Sequence, residues 1–166
     1  MEYFSQFPEV IDGNGDSITN ICLRVDFFNS IKTNAALFEM LQINDGERPE
    51  DIATLAYDDP TLYWVILWTN DITNTFTQWP LNSDELMDYV SQTYGAENIF
   101  AVHHYETIQG SPLGIGIIVN EGTEFSQSVT NFDYEDSVNE AKRTIKVLDP
   151  NYITQVTAAY ATIFSQ

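Results

Sequence analysis

Between residues 47 and 71 the chain reads ERPEDIATLAYDDPTLYWVILWTND, and the spacing of its apolar positions divides it in two. Pro49 at a first helical position, Glu50 and Asp51 at the positive end of the helix dipole, and Ile52, Leu55 and Ala56 on one face predict a short helix. Tyr57, Asp58, Asp59 and Pro60 end it and open another, with Asp59 as N-cap and Pro60 at N1. This second helix runs to about Asn70. Leu62, Val65, Ile66 and Thr69 form its stripe, while Trp64, Leu67 and Trp68 lie largely outside it. A surface helix needs one apolar stripe, so one that is apolar nearly all round has to be covered on more than one side. One cover is its own domain; the other is a further segment of this chain or another protein. Two tryptophans four residues apart are anchors of the kind that dominate interfaces, which makes Trp64, Leu67 and Trp68 a candidate partner surface.

The remaining pattern is mixed. Residues 1–34 read as an arm of short strands and turns, with a turn cluster at 12–16 and β-formers over 21–28. Leu37, Met40, Leu41 and Ile43 predict a strand, or a helix ending in one, before the turn Asn44, Asp45, Gly46. A third helix is expected over 82–94, capped by Asn82 or Ser83 and closed by Gly95, with Leu86, Tyr89, Val90 and Thr93 inward. Strands follow at 99–107 and 115–120. Residues 138–148 fit a helix through Val138, Ala141, Ile145 and Leu148, but Thr144 to Val147 reads better as a strand. Asp149 and Pro150 then start a C-terminal helix with Ile153, Val156, Thr157, Tyr160 and Ile163 or Phe164 on one stripe. The class is α+β. The expected divisions are an arm at 1–34, a core at 35–81, and a region of helix, hairpin and C-terminal helix at 82–166.

Composition narrows the function. The 166 residues include 25 acids and 6 bases, a net charge of -19 with pI near 4.1, a field that repels nucleic acid and anionic lipid. A hydrophobic content of 43% is too high for a disordered chain. The longest apolar run, 62–68, is far below the ~20 residues of a membrane span. The acidic start of the chain, with no apolar run after it, is expected of a protein that is not exported. Three of the bases, Lys142, Arg143 and Lys146, crowd together; they either offset neighbouring acids or dock onto an acidic partner.

No catalytic pattern emerges. Asp12, Asn14 and Asp16 have the alternate spacing of a calcium loop, but Ser17 and Leu23 stand where that loop needs Gly and Glu, so a hairpin turn is the better reading. His103 and His104, if in a strand, point to opposite faces and cannot chelate one ion together. Cys22 is single, so no intrachain disulfide forms, and it reads as a small buried hydrophobe. There is no nucleophile elbow and no phosphate-cradling loop. No enzyme, cofactor or metal site is expected.

Gly46 to Ala53, Tyr57, and Asp59, Pro60, Thr61, Leu62, Tyr63, Trp64, Val65, Ile66, Leu67 resemble the signature of the LysM-like baseplate wedge subunits of contractile-tailed bacteriophages. Phe4, Phe7 and Pro8, then Asp71 and Ile72, Trp79 to Leu81, and Asn139, Glu140, Lys142 and Arg143 agree with it. The resemblance implies a LysM-like β-α-α-β core with additional short strands, a third helix and a C-terminal helix. It implies a structural subunit that helps join wedge proteins into the baseplate around the tail tube. Its partners would be other wedge and tail proteins, with neither nucleic acid nor membrane, in a virion assembled in the host cytoplasm. Asp58 departs from the family, which usually has Gly there, and a local change of turn is expected. The competing reading is a LysM module that binds peptidoglycan or chitin.

Overall fold

A computed structural model describes residue 4, residues 7–20 and residues 35–163. Cys22, Arg24, Lys32, Phe164 and the strand expected over 21–28 lie outside the described residues. The chain forms two compact units: Met1–Ile43 with Glu47–Gln78 and Thr144–Gln166, and Asn44–Gly46 with Trp79–Arg143. Both mix helices with small antiparallel sheets, so the α+β class holds.

In the first unit β1 (Glu9–Ile11) and β2 (Ser17–Thr19) form a hairpin. Its turn is closed by Asp12, whose Oδ1 accepts the N–H groups of Asn14 and Asp16, each at 2.8 Å. Those hydrogen bonds hold the Asp12 carboxyl below its ordinary pKa. The alternating acids thus build a turn, as expected.

β3 (Phe38–Gln42), α1 (Pro49–Tyr57) and α2 (Tyr63–Thr69) follow, and β3 pairs antiparallel with the distant β7 (Thr144–Leu148) in the register Phe38↔Leu148 to Gln42↔Thr144. The result is a β-α-α-β arrangement whose last strand comes from beyond the expected 35–81 segment. Leu41 faces Ile145, and Ile145, Val147 and Leu148 are buried.

Local signals set the helix ends. The Arg48 N–H donates to the Asp51 carboxylate at 2.9 Å at the start of α1. Asp59 Oδ1 accepts from Thr61 N–H at 2.9 Å and from Thr61 Oγ1 at 2.7 Å, which starts a 3₁₀ turn (Pro60–Leu62) that leads into α2. The stop between the helices is left-handed even with aspartate in place of glycine. Asp58 sits at φ 55°, ψ 24°, in the left-handed region, and its N–H donates to Thr54 O at 3.0 Å. Asp is one of the few residues with a side chain that visits this region.

α6 (Ile153–Ile163) completes the first unit. Val156 and Tyr160 of the expected stripe are fully buried, and the Tyr160 ring lies 4.7 Å from that of Trp64.

A short helix α3 (Thr75–Gln78) ends the Glu47–Gln78 stretch of the first unit, and the second unit follows with α4 (Ser83–Tyr94), β4 (Val102–Thr107), β5 (Ile118–Val119), β6 (Ser126–Thr130) and α5 (Asn131–Glu140). The sheet order is β5-β4-β6, all antiparallel. Asn82 and Glu85 cap α4 reciprocally, and Thr130 with Asp133 does the same for α5. The Tyr94 hydroxyl donates to Glu135 Oε1 at 2.8 Å, tying α4 to α5. The bond to that carboxylate pushes the Tyr94 pKa up to about 12. β6 and α5 were not anticipated, and β5 is shorter than the strand expected at 115–120.

Candidate partner interface

α2 is the centre of the first unit. Its expected stripe of Leu62, Val65, Ile66 and Thr69 is buried, and so is Trp64, only 3% exposed. The covers are β7 and α1 on one side and the Tyr160 ring of α6 on another. Trp64 is therefore taken up by the chain's own C-terminal helix. Leu67 and Trp68 are half-buried, and with Tyr63 they are what α2 still offers at its surface.

At the end of α2, Asn70 makes a clamp. Its Nδ2 donates to the carbonyls of Ile66 and Lys146, each at 2.8 Å, and its Oδ1 accepts the Lys146 N–H at 2.8 Å. This pins β7 to the helix, and the Lys146 side chain is left exposed. Leu67, Trp68 and Lys146 thus belong to elements held by one asparagine. An amide side chain can do this because it carries a donor and an acceptor, as a peptide group does.

Arg143 is used differently. It is 8% exposed, and its guanidinium donates to Asp45 Oδ1 at 2.9 Å, to Glu140 Oε1, and to the carbonyl of Leu81 at 3.3 Å. Burial lowers its pKa, but the two carboxylates outweigh that and raise it. Asp45 also accepts from Ser83 Oγ at 2.9 Å; with Arg143, that bond holds its carboxyl below the usual aspartate range. Beside this pair, buried Asn139 donates to Leu81 O at 2.9 Å and accepts the Leu81 N–H at 2.8 Å. The residues that carried the sequence resemblance here form a polar clamp inside the second unit. Lys142 is half-buried. Of the six candidate residues, α2 holds three, Lys146 lies on β7, and Lys142 and Arg143 lie in the second unit.

The histidines differ from expectation. A register shift between Val102 and His104 bulges β4, so the two rings meet instead of diverging. One Nδ1–H donates to the other Nδ1 at 2.8 Å, and the His103 ring stacks on Tyr134 at 4.2 Å. No group of three or more His, Cys, Asp or Glu able to hold a metal ion occurs among the described residues.

A family model described as Base plate wedge protein 53 matches residues 14–112, well over half of the chain. The chain belongs to this family. It is a structural protein of the bacteriophage tail baseplate, where it assembles with other baseplate proteins. The matched segment holds α1, α2 and α4, and with them Trp64, Leu67 and Trp68; β7, Lys142, Arg143 and Lys146 follow it. No individually curated protein matches the chain. No helix among the described residues of the wedge protein is long and apolar enough to cross a membrane.

Sequence reasoning missed Asn70 as a clamp and Arg143 as a buried hub. The available signals were the place of Asn70 at the expected end of the second helix and the match of Asn139, Glu140 and Arg143 to the family pattern. Neither says which backbone groups the side chains would meet.

Proposed function

We propose that this chain joins neighbouring wedge proteins into the baseplate ring around the tail tube, and that the β3-α1-α2-β7 arrangement is a LysM-like core used as a protein-docking unit. The observation that carries the reading is the state of α2. Trp64 is consumed by the chain's own core, while Leu67 and Trp68 remain partly at the surface of a helix fixed by that core. A helix fixed by its own core that keeps a tryptophan partly exposed suits docking to a partner. Lys146, and Lys142 in the other unit, supply positive charge on a chain of net charge -19, and they suit carboxylates on a neighbour.

In this reading the expected divisions at 1–34, 35–81 and 82–166 are redrawn. The LysM-like core starts at residue 35, closes with β7, and carries the 79–143 segment between its second helix and its last strand.

The test is pull-down of purified tail proteins by the wild-type chain and by Leu67→Asp and Trp68→Ala. Binding that falls at least about tenfold in either variant, with an unchanged melting temperature, supports the reading. Equal binding by all three sinks the α2 surface. Robust binding to chitin or peptidoglycan fragments with no tail partner favours the glycan-binding alternative.

A further inference from the structure

The segment between β4 and β6, residues 108–125, is built as if for display. From Thr107 to Asn120 there is no charged residue, in a chain where 19% are charged. Ile108, Leu113, Ile115, Ile117, Ile118 and Phe125 are all exposed, Ile115 at 72% and Ile118 at 71%. Single exposed apolar residues need no explanation, but a contiguous uncharged group marks an interaction site.

The segment is also held in shape. Thr107 is buried and acts as its pin: its N–H donates to Ile117 O at 3.0 Å, its carbonyl accepts the Gly116 N–H at 2.8 Å, and its Oγ1 accepts the Ile117 N–H at 2.9 Å. Phe125 closes the other end, its carbonyl accepting the Ile108 N–H at 2.8 Å. Phe125 has φ 56°, a left-handed conformation that is uncommon for a bulky residue. A strained aromatic kept at the surface is a reason to look for function.

The edges say what fits. β5 is at the margin of the sheet β5-β4-β6, and a sheet margin accepts an added strand. Three carboxylates flank the uncharged stretch 107–120: Glu106, which accepts from Gln127 Nε2 at 2.9 Å, Glu121, bonded by the Tyr105 hydroxyl, and Glu124. A second copy of this chain would bring the same acids and another net charge of -19 against them.

We propose that the 108–125 segment docks an extended apolar strand of a different baseplate subunit, laid along β5 and flanked by Lys or Arg that meet Glu106, Glu121 and Glu124. This rests on the joining role proposed above and gives that role a second surface, distinct from α2.

Hydrogen–deuterium exchange on the chain free in solution and in purified baseplates tests it. Amides of 108–125 should be protected in the baseplate, and Ile118→Asp should reduce incorporation at least about tenfold with the melting temperature unchanged. Incorporation in trials at raised salt should fall for the wild type as the carboxylate contacts are screened. A chain that is present in baseplates while 108–125 exchanges as fast as when free, with Ile118→Asp incorporated normally, overturns the segment's role and leaves the joining role standing. Baseplates that lack the chain altogether overturn both. Dimers of the free chain that Ile118→Asp abolishes overturn the choice of a different subunit as occupant.

Discussion

The two units order an acidic chain by different means. The first buries a large apolar set, among them Trp64, Val65, Ile66, Leu148, Val156 and Tyr160, with the Trp64 and Tyr160 rings 4.7 Å apart. The second buries few apolar side chains, chiefly Trp79, Leu86 and Val90, and relies on polar clamps: Asn139 on Leu81, Arg143 on Asp45 and Glu140, Tyr94 on Glu135. The difference teaches how each unit should fail. A core built from apolar volume loses stability in proportion to what is removed, whereas a clamp fails when one partner is deleted and the others are left unsatisfied.

The largest effect should come from the first unit. Trp64→Ala removes the ring packed on Tyr160 and leaves a cavity, at a cost of about 3–5 kcal/mol in urea denaturation. In the second unit Asn139→Ala orphans the N–H of Leu81 and leaves its carbonyl only the longer bond from Arg143, and about 1–3 kcal/mol is expected from the same measurement. A cost under about 0.5 kcal/mol would show that water replaces the amide and that the clamp is ornamental.

A smaller effect, of opposite sign, is expected at the stop between α1 and α2. Asp58 is left-handed, so Asp58→Gly should stabilise by about 0.5 kcal/mol, and Asp58→Val should destabilise by about 1–2 kcal/mol. Thermal melts of the pair check this.

The smallest and broadest effects are with pH. Asp45 and Asp133 have carboxyls held below 3.8, Asp45 by its bonds to Ser83 and then Arg143, Asp133 by its bonds to Thr130. A lowered pKa contributes stability above the unfolded value, and that contribution is lost as pH falls from about 4 through the folded value. Tyr94 is raised, so its contribution is present below the unfolded value of 10.0 and is lost as pH rises from there through about 12. Amide exchange followed across both ranges should show α4 and α5 loosening more than β3 and β7, although the first unit also carries lowered carboxyls at Asp12 and Asp59 and a raised Tyr57. Equal loosening of both units would remove the contrast between them.

What was legible in the sequence was local. Pro49, Asp59, Pro60, Asn82 and Asp149 marked helix starts because capping acts within three residues, and the stripes of α2 and α6 followed from periodicity. The pairing of β3 with β7 was not legible: no local pattern in 38–42 specifies a partner at 144–148, and the intervening segment hides the closing strand. α5 was missed because NFDYEDSVNE has no clear apolar stripe; its start is signalled only by the Thr130–Asp133 box. The bulge that turns His103 towards His104 left no trace in the alternation of residues. The α2 candidates stood out as a group by their apolar excess, but which of them the chain would cover depended on where α6 packs. That is a tertiary fact.

The central claim is that this chain joins wedge proteins into a baseplate. Purified wedge components can be mixed with and without it, and ring formation followed by sedimentation velocity and electron microscopy. The account predicts rings with the wild-type chain and separate wedges without it or with Leu67→Asp. Rings that form equally well in its absence would contradict it.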